Sequence, residues 1–403
     1  MGKFLKLFEG FGIESEFMIV DQSDLTPLNL AEEVLTTANN GVLSDEIEKG
    51  ATSWSNELVT HLLEIKCNGP AKSLEDLDLE FHKAIVEINK ILAPRHAMLL
   101  GSAMHPFMNP DDAILWPHGQ KEIYQKYNEI FDCRGHGWSN LQSIHINLPF
   151  SNDEEFGRLH EGIRLILPVL PALCASSPIY NGKLEGLPSN RLTFYEENQK
   201  KVPSITGMVV PEAIYTLSDY HKLLQKIWAD IAPYDPAGTL QHQWLNSRGA
   251  IVKFDYQVVE IRTCDIQESP YMDFCVIHFI YALLKPLVLA GTKSIISSQA
   301  LKMIFDHANS WEGKIEDAQY LKIFGFEDSS MTFPDFFACM YKRVKSDIPE
   351  RYHSGIEVIL RQGNLATRIK ARVSQGESIP SIYQQLAMSL KDNGTFLSEA
   401  VCA

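Results

Sequence analysis

Glu14, Glu16, Glu57, Glu64, His145 and Glu260 are the side chains of this sequence that suit one piece of chemistry, the holding of a hard divalent cation. Oxygen-rich sites with a single imidazole favour Mg²⁺ or Mn²⁺ over structural zinc. The first two sit in Gly10-Phe11-Gly12-Ile13-Glu14-Ser15-Glu16-Phe17-Met18-Ile19-Val20, a glycine-flanked approach to a strand. Residues two apart on a strand share a face, so Glu14 and Glu16 stand side by side. Such a pair repels itself unless a proton or a cation lies between the carboxylates. Each residue taken singly has an ordinary alternative: a solvated Glu-x-Glu pair, or His145 as a hydrogen-bonded core residue. Glu57 and Glu64 are seven residues apart and fall on opposite faces of a regular strand. Both reach one site only if the strand bulges, bends or breaks between them.

Three arginines could serve an anionic substrate. Arg262 follows Glu260 by two positions. It makes either an ordinary ion pair with a neighbour or a planar fork for a transferring phosphoryl group. Arg191 and Arg248, both near glycine-containing turns, are surface residues by default or clamps for carboxylate or phosphate. There is no Gly-x-x-x-x-Gly-Lys-Ser/Thr, Gly-x-Ser-x-Gly or His-Glu-x-x-His. Gly10-x-Gly12 begins like a dinucleotide fingerprint, but Ser15 stands at the third glycine and Glu14 would repel a bare pyrophosphate.

The elements that must position these residues follow from periodicity. Ser143-Ile144-His145-Ile146-Asn147-Leu148 alternates polar and apolar, predicting a strand that carries His145 and Asn147 on its polar face. A hairpin is expected from Ala250–Phe254 and Gln257–Cys264, with Glu260, Arg262 and Cys264 on one face. Trp54 to Cys67 holds the acidic, apolar stretch with Glu57 and Glu64, and Ala97 to Met104 reads as a further strand. Asn29 is placed to cap a helix through Ala38, and Ser73-Leu74-Glu75-Asp76 resembles a capping box. Leu74, Leu77, Phe81, Ala84, Ile85, Ile88, Ile91 and Leu92 then recur at helical spacing until Pro94. A further helical pattern, Leu159 to Cys174, is interrupted at Pro168 and Pro171. Beyond about Ala290 helices dominate, so 1–291 is expected to be the catalytic core and 292–403 a helical region packed on it. Polar strand faces argue against a parallel sheet buried on both sides, and for an α+β chain with a largely antiparallel sheet.

The 403 residues allow one large or two ordinary domains, and 45% hydrophobic with 22% charged residues is ordinary for a soluble protein. Thirty-six Lys and Arg against 51 Asp and Glu give a net charge of −15, which repels nucleic acid and anionic membranes. A nucleotide is compatible with that field when bound cations invert the local sign. Seven scattered cysteines (Cys67, Cys133, Cys174, Cys264, Cys275, Cys339, Cys402) without a Cys-x-x-Cys fit reduced thiols in a cytoplasm. Met1-Gly2-Lys3-Phe4-Leu5-Lys6 has no signal core, and Phe274 to Gly291, broken by His278, Lys285 and Pro286, reads as a buried helix followed by a bend. Small-molecule substrates are the expected partners, and a homo-oligomeric state stays open.

In order along the chain, Gly12-Ile13-Glu14-Ser15-Glu16, Glu57-Leu58-Val59, Leu63-Glu64-Ile65 and Gly101-Ser102-Ala103-Met104-His105-Pro106 are followed by Gln142-Ser143-Ile144-His145-Ile146. Leu170-Pro171-Ala172-Leu173-Cys174-Ala175-Ser176-Ser177-Pro178, Asn181-Gly182, Ser189-Asn190-Arg191, Val259-Glu260-Ile261-Arg262-Thr263-Cys264-Asp265 and Gly363-Asn364-Leu365-Ala366-Thr367-Arg368 complete the set. The ordered set resembles the glutamate–cysteine ligase family of the bacterial carboxylate–amine ligase type. The resemblance implies a curved antiparallel sheet like the catalytic domain of glutamine synthetase, open on one side as a funnel. It also implies an ATP-dependent reaction in which a glutamate side-chain carboxylate is phosphorylated and an amine then displaces phosphate. Glu14, Glu16, Glu57, Glu64, His145 and Glu260 would hold Mg²⁺ or Mn²⁺, Arg262 would sit on the phosphoryl group and Arg191 near the substrate carboxylate. Asn190 and Arg248 are the candidates for nucleotide contact. Three segments depart from the family pattern: Cys174 replaces serine, Ala103-Met104 replaces Gly-Thr, and Asn246 stands where Asp is usual before Arg248. The last puts the amine acceptor in question. The rival readings are a metal-dependent hydrolase built on the same wall of carboxylates, and a degenerate binding protein for nucleotide or amino acid.

Overall fold

The alternation of the first strand sets the layers of the molecule. In β1 (Gly12–Asp21), Ile13, Phe17 and Ile19 enter the main hydrophobic core, whereas Met18 and Val20 join a second, smaller cluster. Glu14 and Glu16 lie in step with Met18 and Val20, and so belong to that second face. The computed structural model describes residues 4–184 and 186–399; Cys402 and the first three residues lie outside them. After β1 come α1 (Ala31–Ala38), β2 (Glu46–Lys49), β3 (Thr52–Asn56), β4 (Leu62–Cys67), α2 (Leu77–Leu92), β5 (Ala97–Leu100), α3 (Lys121–Phe131), α4 (His136–Ser139) and β6 (Ser143–Pro149). Then follow α5 (Asp153–Ile166), α6 (Leu170–Cys174), α7 (Asn190–Glu197), α8 (Leu217–Ile231), β7 (Ala250–Lys253), β8 (Val258–Asp265) and α9 (Pro270–Ala290). The rest comprises α10 (Ser298–His307), β9 (Lys314–Ile315), α11 (Ala318–Ile323), β10 (Met331–Thr332), α12 (Phe333–Val344), α13 (His353–Gln362), α14 (Leu365–Ser374) and α15 (Ile379–Asp392).

The main sheet has the order β2-β3-β4-β1-β6-β8-β7, with β5 as an eighth strand beside β1, and every pairing in it is antiparallel. The fold is therefore α+β, as the polar strand faces indicate. One edge of β1 changes partner along its length: residues 12–15 pair with β6 and residues 18–21 with β5. Its register sets Glu14 opposite both Lys66 and His145, and Glu16 opposite Glu64.

Several local expectations are corrected. Trp54 to Cys67 forms two strands, and the break between them carries Glu57, which removes the conflict of the seven-residue spacing. The strand from Ala97 ends at Leu100. Gly101 lies so close to the Gln267 carbonyl that a Cβ there would come within 2.9 Å, and the Ser102 hydroxyl bonds the Met104 carbonyl at 2.9 Å, turning the chain. Asn29 does not cap α1; its side-chain Oδ1 accepts from the Thr60 hydroxyl at 2.7 Å. Ser73 accepts from the Glu75 N–H at 3.1 Å, and Asp76 takes φ 64° before α2 begins, so no capping box forms. Helix α9 runs straight through Pro286 to Ala290, where Gly291 ends it at φ 61°. Lys285 and Pro286 face solvent, the side on which a helix can open to accommodate a proline ring.

Helix α9 is long and apolar enough to cross a membrane, but it forms the middle of the main core. Phe274 packs edge-on against Phe81 of α2, and Phe279 against Phe337 and Tyr341 of α12, so the chain beyond 291 shares this core. On the opposite face of the sheet, Leu365, Ile369, Ile382, Tyr383 and Leu386 of α14 and α15 cover Met18, Val20, Leu62 and Leu100. The Gly363–Arg368 segment docks on the Leu170–Pro178 segment: the Asn364 amide donates to the Ala172 carbonyl and Ala366 N–H to the Ala175 carbonyl, both at 2.9 Å. Arg368, fully buried, pairs with both carboxylate oxygens of fully buried Glu268, which also accepts from Phe396 N–H at 3.0 Å.

His105, at the turn after β5, is held as a neutral ring. Its Nδ1 accepts from Phe107 N–H at 3.1 Å and its Nε2 donates to the Leu25 carbonyl at 2.7 Å. Burial pushes its pKa down to about 4. An unfolded chain takes up a proton here below about pH 6.5 while the folded chain refuses it, so stability falls as pH drops from 6.5 through 4. The expected loss from this residue is about 3 kcal/mol. Denaturant titrations of the wild type and His105→Asn at pH 7, 5.5 and 4.5 should show the variant with the shallower pH slope.

Candidate active site

The acidic residues come together on the sheet face opposite the main core. Glu16, Glu57 and Glu64 each place an oxygen within 4.8 Å of the others, and Glu14, Glu64 and His145 do the same with two oxygens and a ring nitrogen. Glu64 belongs to both groups, so the two form one continuous cluster. Neighbouring polar residues fix the ligand atoms. The Ser143 N–H and hydroxyl donate to Glu16 Oε2 at 2.7 and 2.9 Å, Asn147 donates to Glu14 Oε1 at 2.9 Å, and the Ser55 hydroxyl donates to Glu64 Oε2 at 2.8 Å. His145 lies between Glu14, 3.2 Å from Nδ1, and the Ser143 hydroxyl, 3.0 Å from Nε2.

The electrostatics are those of a wall short of positive charge. Burial, reinforced by Glu16 and Glu64, holds the Glu57 carboxyl well above the usual range. Burial beside Glu14 and Glu16 pushes Glu64 up to about 7, against the pull of Lys66. Burial would raise Glu14 as well, but its bond to His145 and the charge of Lys253 hold it well below the usual range. Burial disfavours the imidazolium of His145, yet Glu14, Glu260 and Glu16 raise its pKa. A cation between these groups relieves the strain that protons otherwise carry.

Glu260 of β8 stands beyond β6, outside the two groups and linked to Glu14 through Lys253. It is fully buried, and its oxygens face Lys253 and Arg262 as ion pairs without the geometry of a hydrogen bond. Two buried carboxylate oxygens lacking hydrogen bonds are the donors a hard cation takes, so the set fits Mg²⁺ or Mn²⁺. Lys253 of β7 spans the gap, its Nζ 2.9 Å from Glu14 Oε1 and paired with Glu260 Oε2.

Arg262 lies beside Glu260, Nε 3.1 Å from Oε1, with part of its side chain open to solvent. The expected third member of that face, Cys264, is turned into the core. Between Ile261 and Cys264, β8 carries one residue more than the facing span of β6, Ile144 to Ile146. Such a bulge flips the alternation and brings Asp265 round to the site side instead. Arg191, at the start of α7, donates from Nε to Asp265 Oδ1 at 2.6 Å and from Nη2 to the Arg262 carbonyl at 3.3 Å. Asp265 also accepts from Ser176 N–H and the Ser177 hydroxyl, at 2.9 and 3.0 Å. Arg191 thus reaches the edge of the cluster through the Arg262–Asp265 strand.

Arg248 is placed elsewhere. Its guanidinium grips both oxygens of Glu212 at 2.6 Å and bonds the Ser204 and Ile205 carbonyls and Asn246. Asn246 in turn donates to the Tyr220 hydroxyl at 2.8 Å, so the Asn246-Ser247-Arg248 segment secures the chain around 204–220. The Asn190 amide donates to the Ser177 carbonyl at 2.8 Å and accepts from Leu187 N–H at 3.2 Å, which ties down the loop before α7. Lys253 and Asp265 escape the sequence reading. The register of the hairpin places Lys253: Ile251, two residues earlier, pairs directly with Glu260, which puts Lys253 on the site face.

The sequence profile of glutamate–cysteine ligase family 2 matches residues 10–385. An uncharacterized protein of Archaeoglobus fulgidus is 35% identical over 274 residues, 68% of this chain and 73% of its own. A glutamate–cysteine ligase of Haloquadratum walsbyi is 24% identical over 316 residues, 74% of this chain and 76% of its own. Among solved structures, the glutamate–cysteine ligase of Francisella tularensis in complex with AMP superposes with a TM-score of 0.69 at 14% identity, covering 97% of this chain and 90% of that one. A bifunctional glutathione synthetase of Pasteurella multocida gives 0.56 at 12% identity, over 96% of this chain and 52% of that one. These likenesses share the fold, and with the profile match along nearly the whole sequence they make the chain a member of glutamate–cysteine ligase family 2, a ligase of the kind that forms C–N bonds.

Proposed function

We propose that this protein is an ATP- and Mg²⁺-dependent ligase that joins the side-chain carboxylate of glutamate to an amine through an acyl phosphate. The observation that carries the reading is the cluster of Glu14, Glu16, Glu57, Glu64 and His145, with Glu260 and Arg262 linked to it through Lys253. A carboxylate is a poor electrophile, and bringing it to ATP gathers like charges in a chain of net charge −15. Glu14, Glu16, Glu57, Glu64, His145 and Glu260 would hold Mg²⁺; bound there, the ions would neutralise phosphate charge. Ser143 and Asn147 fix the carboxylates that hold them. Arg262, charged and partly open, is suited to stabilise charge on the transferring phosphoryl group. Arg191, braced by Asp265, orients the substrate carboxylate. The carboxylate oxygen attacks the γ-phosphorus and ADP leaves; the amine then attacks the acyl carbon, expelling phosphate and losing a proton. The six cysteines described are all free, in keeping with a cytoplasmic setting.

The test is ADP release with ATP, Mg²⁺ and glutamate over a panel of amines that includes cysteine, with the amide product quantified in parallel. ADP and amide should appear in equal amounts with the true acceptor. ADP formed at the same rate without any acceptor while glutamate stays unchanged, or amide cleavage without ATP, would overturn the reading.

A further inference from the structure

Helix α7 carries one more polar side chain to the strand of Arg262. Arg191, in its first turn, bonds Asp265 and reaches the Arg262 carbonyl at 3.3 Å. Tyr195 follows four residues later and so shares that face of the helix. Phe194, on the adjacent face, meets Tyr180 edge-on and His136 at a tilt, which fixes the roll of α7. Burial disfavours the charge on Arg262, and Tyr195 opposes that effect ahead of Glu260, as a hydroxyl beside the guanidinium does. The Tyr195 hydroxyl is shielded from water and has no hydrogen-bond partner among the described residues. Arg262 Nε and both Glu260 oxygens share that condition, so three orphaned polar groups gather at one place. Buried polar groups are normally paired, and an incoming ligand gains the bonds that these groups do not make among themselves.

We propose that the Tyr195 hydroxyl is a catalytic donor that bonds an oxygen of the transferring phosphoryl group beside the Arg262 guanidinium. During transfer the charge spreads over three peripheral oxygens, more than one guanidinium already drawn to Glu260 can serve. A phenol adds a donor without adding a further charge, and Arg191 ties its helix to the strand of Arg262. The γ-phosphoryl still passes from ADP to the substrate carboxylate oxygen, and Tyr195 keeps its proton throughout. This inference rests on the phosphoryl-transfer reading of the site and not on which amine is joined.

Two measurements on the full chain test it. Single-turnover ADP formation from ATP, glutamate and Mg²⁺ should fall ~100- to 1,000-fold in Tyr195→Phe. Affinity for a non-hydrolysable ATP analogue and the urea midpoint should stay at their wild-type values, and 3-fluorotyrosine installed at position 195 should keep most of the rate. The second measurement needs no turnover. The fluorine resonance of that 3-fluorotyrosine should shift and saturate as inorganic phosphate is added with Mg²⁺, and stay in place in an Arg262→Gln background. Near-normal ADP formation in Tyr195→Phe, or a loss matched by weaker binding and lower stability, would overturn the proposal. A resonance that ignores phosphate, or that moves with glutamate alone, would do the same. A saturable phosphate shift in a protein that forms no ADP would sink the ligase reading alone, and amide formation with a still resonance would sink the role of Tyr195 alone.

Discussion

Glu260→Gln is expected to lower ATP turnover by about three orders of magnitude while the protein stays folded. Glutamine keeps the shape of the side chain and removes only its charge and one acceptor oxygen. Lys253 retains its pairing with Glu14, so no cation is stranded in the core. What disappears is the carboxylate that faces both Lys253 and Arg262, fully buried and with no hydrogen bond of its own to lose. The loss should appear in ADP release at saturating Mg²⁺ and be only partly recovered by adding more metal. Near-normal turnover at unchanged metal dependence would remove Glu260 from the metal-binding set.

Arg368→Met should destabilise the protein by about 3–5 kcal/mol, because it strands Glu268 in a site with no exposure. Urea unfolding is the measurement. The double variant Arg368→Met/Glu268→Gln should recover part of the loss, since the penalty comes from the abandoned charge more than from the lost attraction. Equal losses in the single and double variants would show that packing, rather than charge, sets the cost. Activity should fall with stability here, because Glu268 lies three residues after Asp265, the anchor of Arg191.

Much of this architecture is legible in the residues themselves. Strict alternation gives the strand with His145, the apolar spacing from Leu77 to Leu92 gives α2, and Glu14-Ser15-Glu16 lies on β1 with both glutamates on one face. What escapes is set by relations between strands. The extra residue in β8 sends Cys264 to the core and Asp265 to Arg191, and nothing in the local sequence marks a bulge that exists only against the register of β6. A lone lysine on a short edge strand has no periodicity to betray it, so Lys253 emerges only when Glu14 and Glu260 converge from different strands. The partner of Arg248 is hidden for a similar reason. An arginine near a glycine looks like an anion clamp until Glu212, remote in sequence, is found to grip it. Glu57 and Glu64 make the opposite case: their spacing demanded a break, and the break is there.

The exchange of partners along β1 carries a consequence for biogenesis. The strand is made first yet lies inside the sheet, and its neighbours β4, β5 and β6 follow one after another. The face with Met18 and Val20 is covered in large part by α14 and α15, which are made long after it. Contacts of such wide sequence separation form slowly, so a nascent chain displays an open, acidic and apolar groove until α14 and α15 have been made. The acidic face is backed only once α14 and α15 have docked, and a chain cut short before Leu365 would carry every glutamate of the cluster and still lack those two helices.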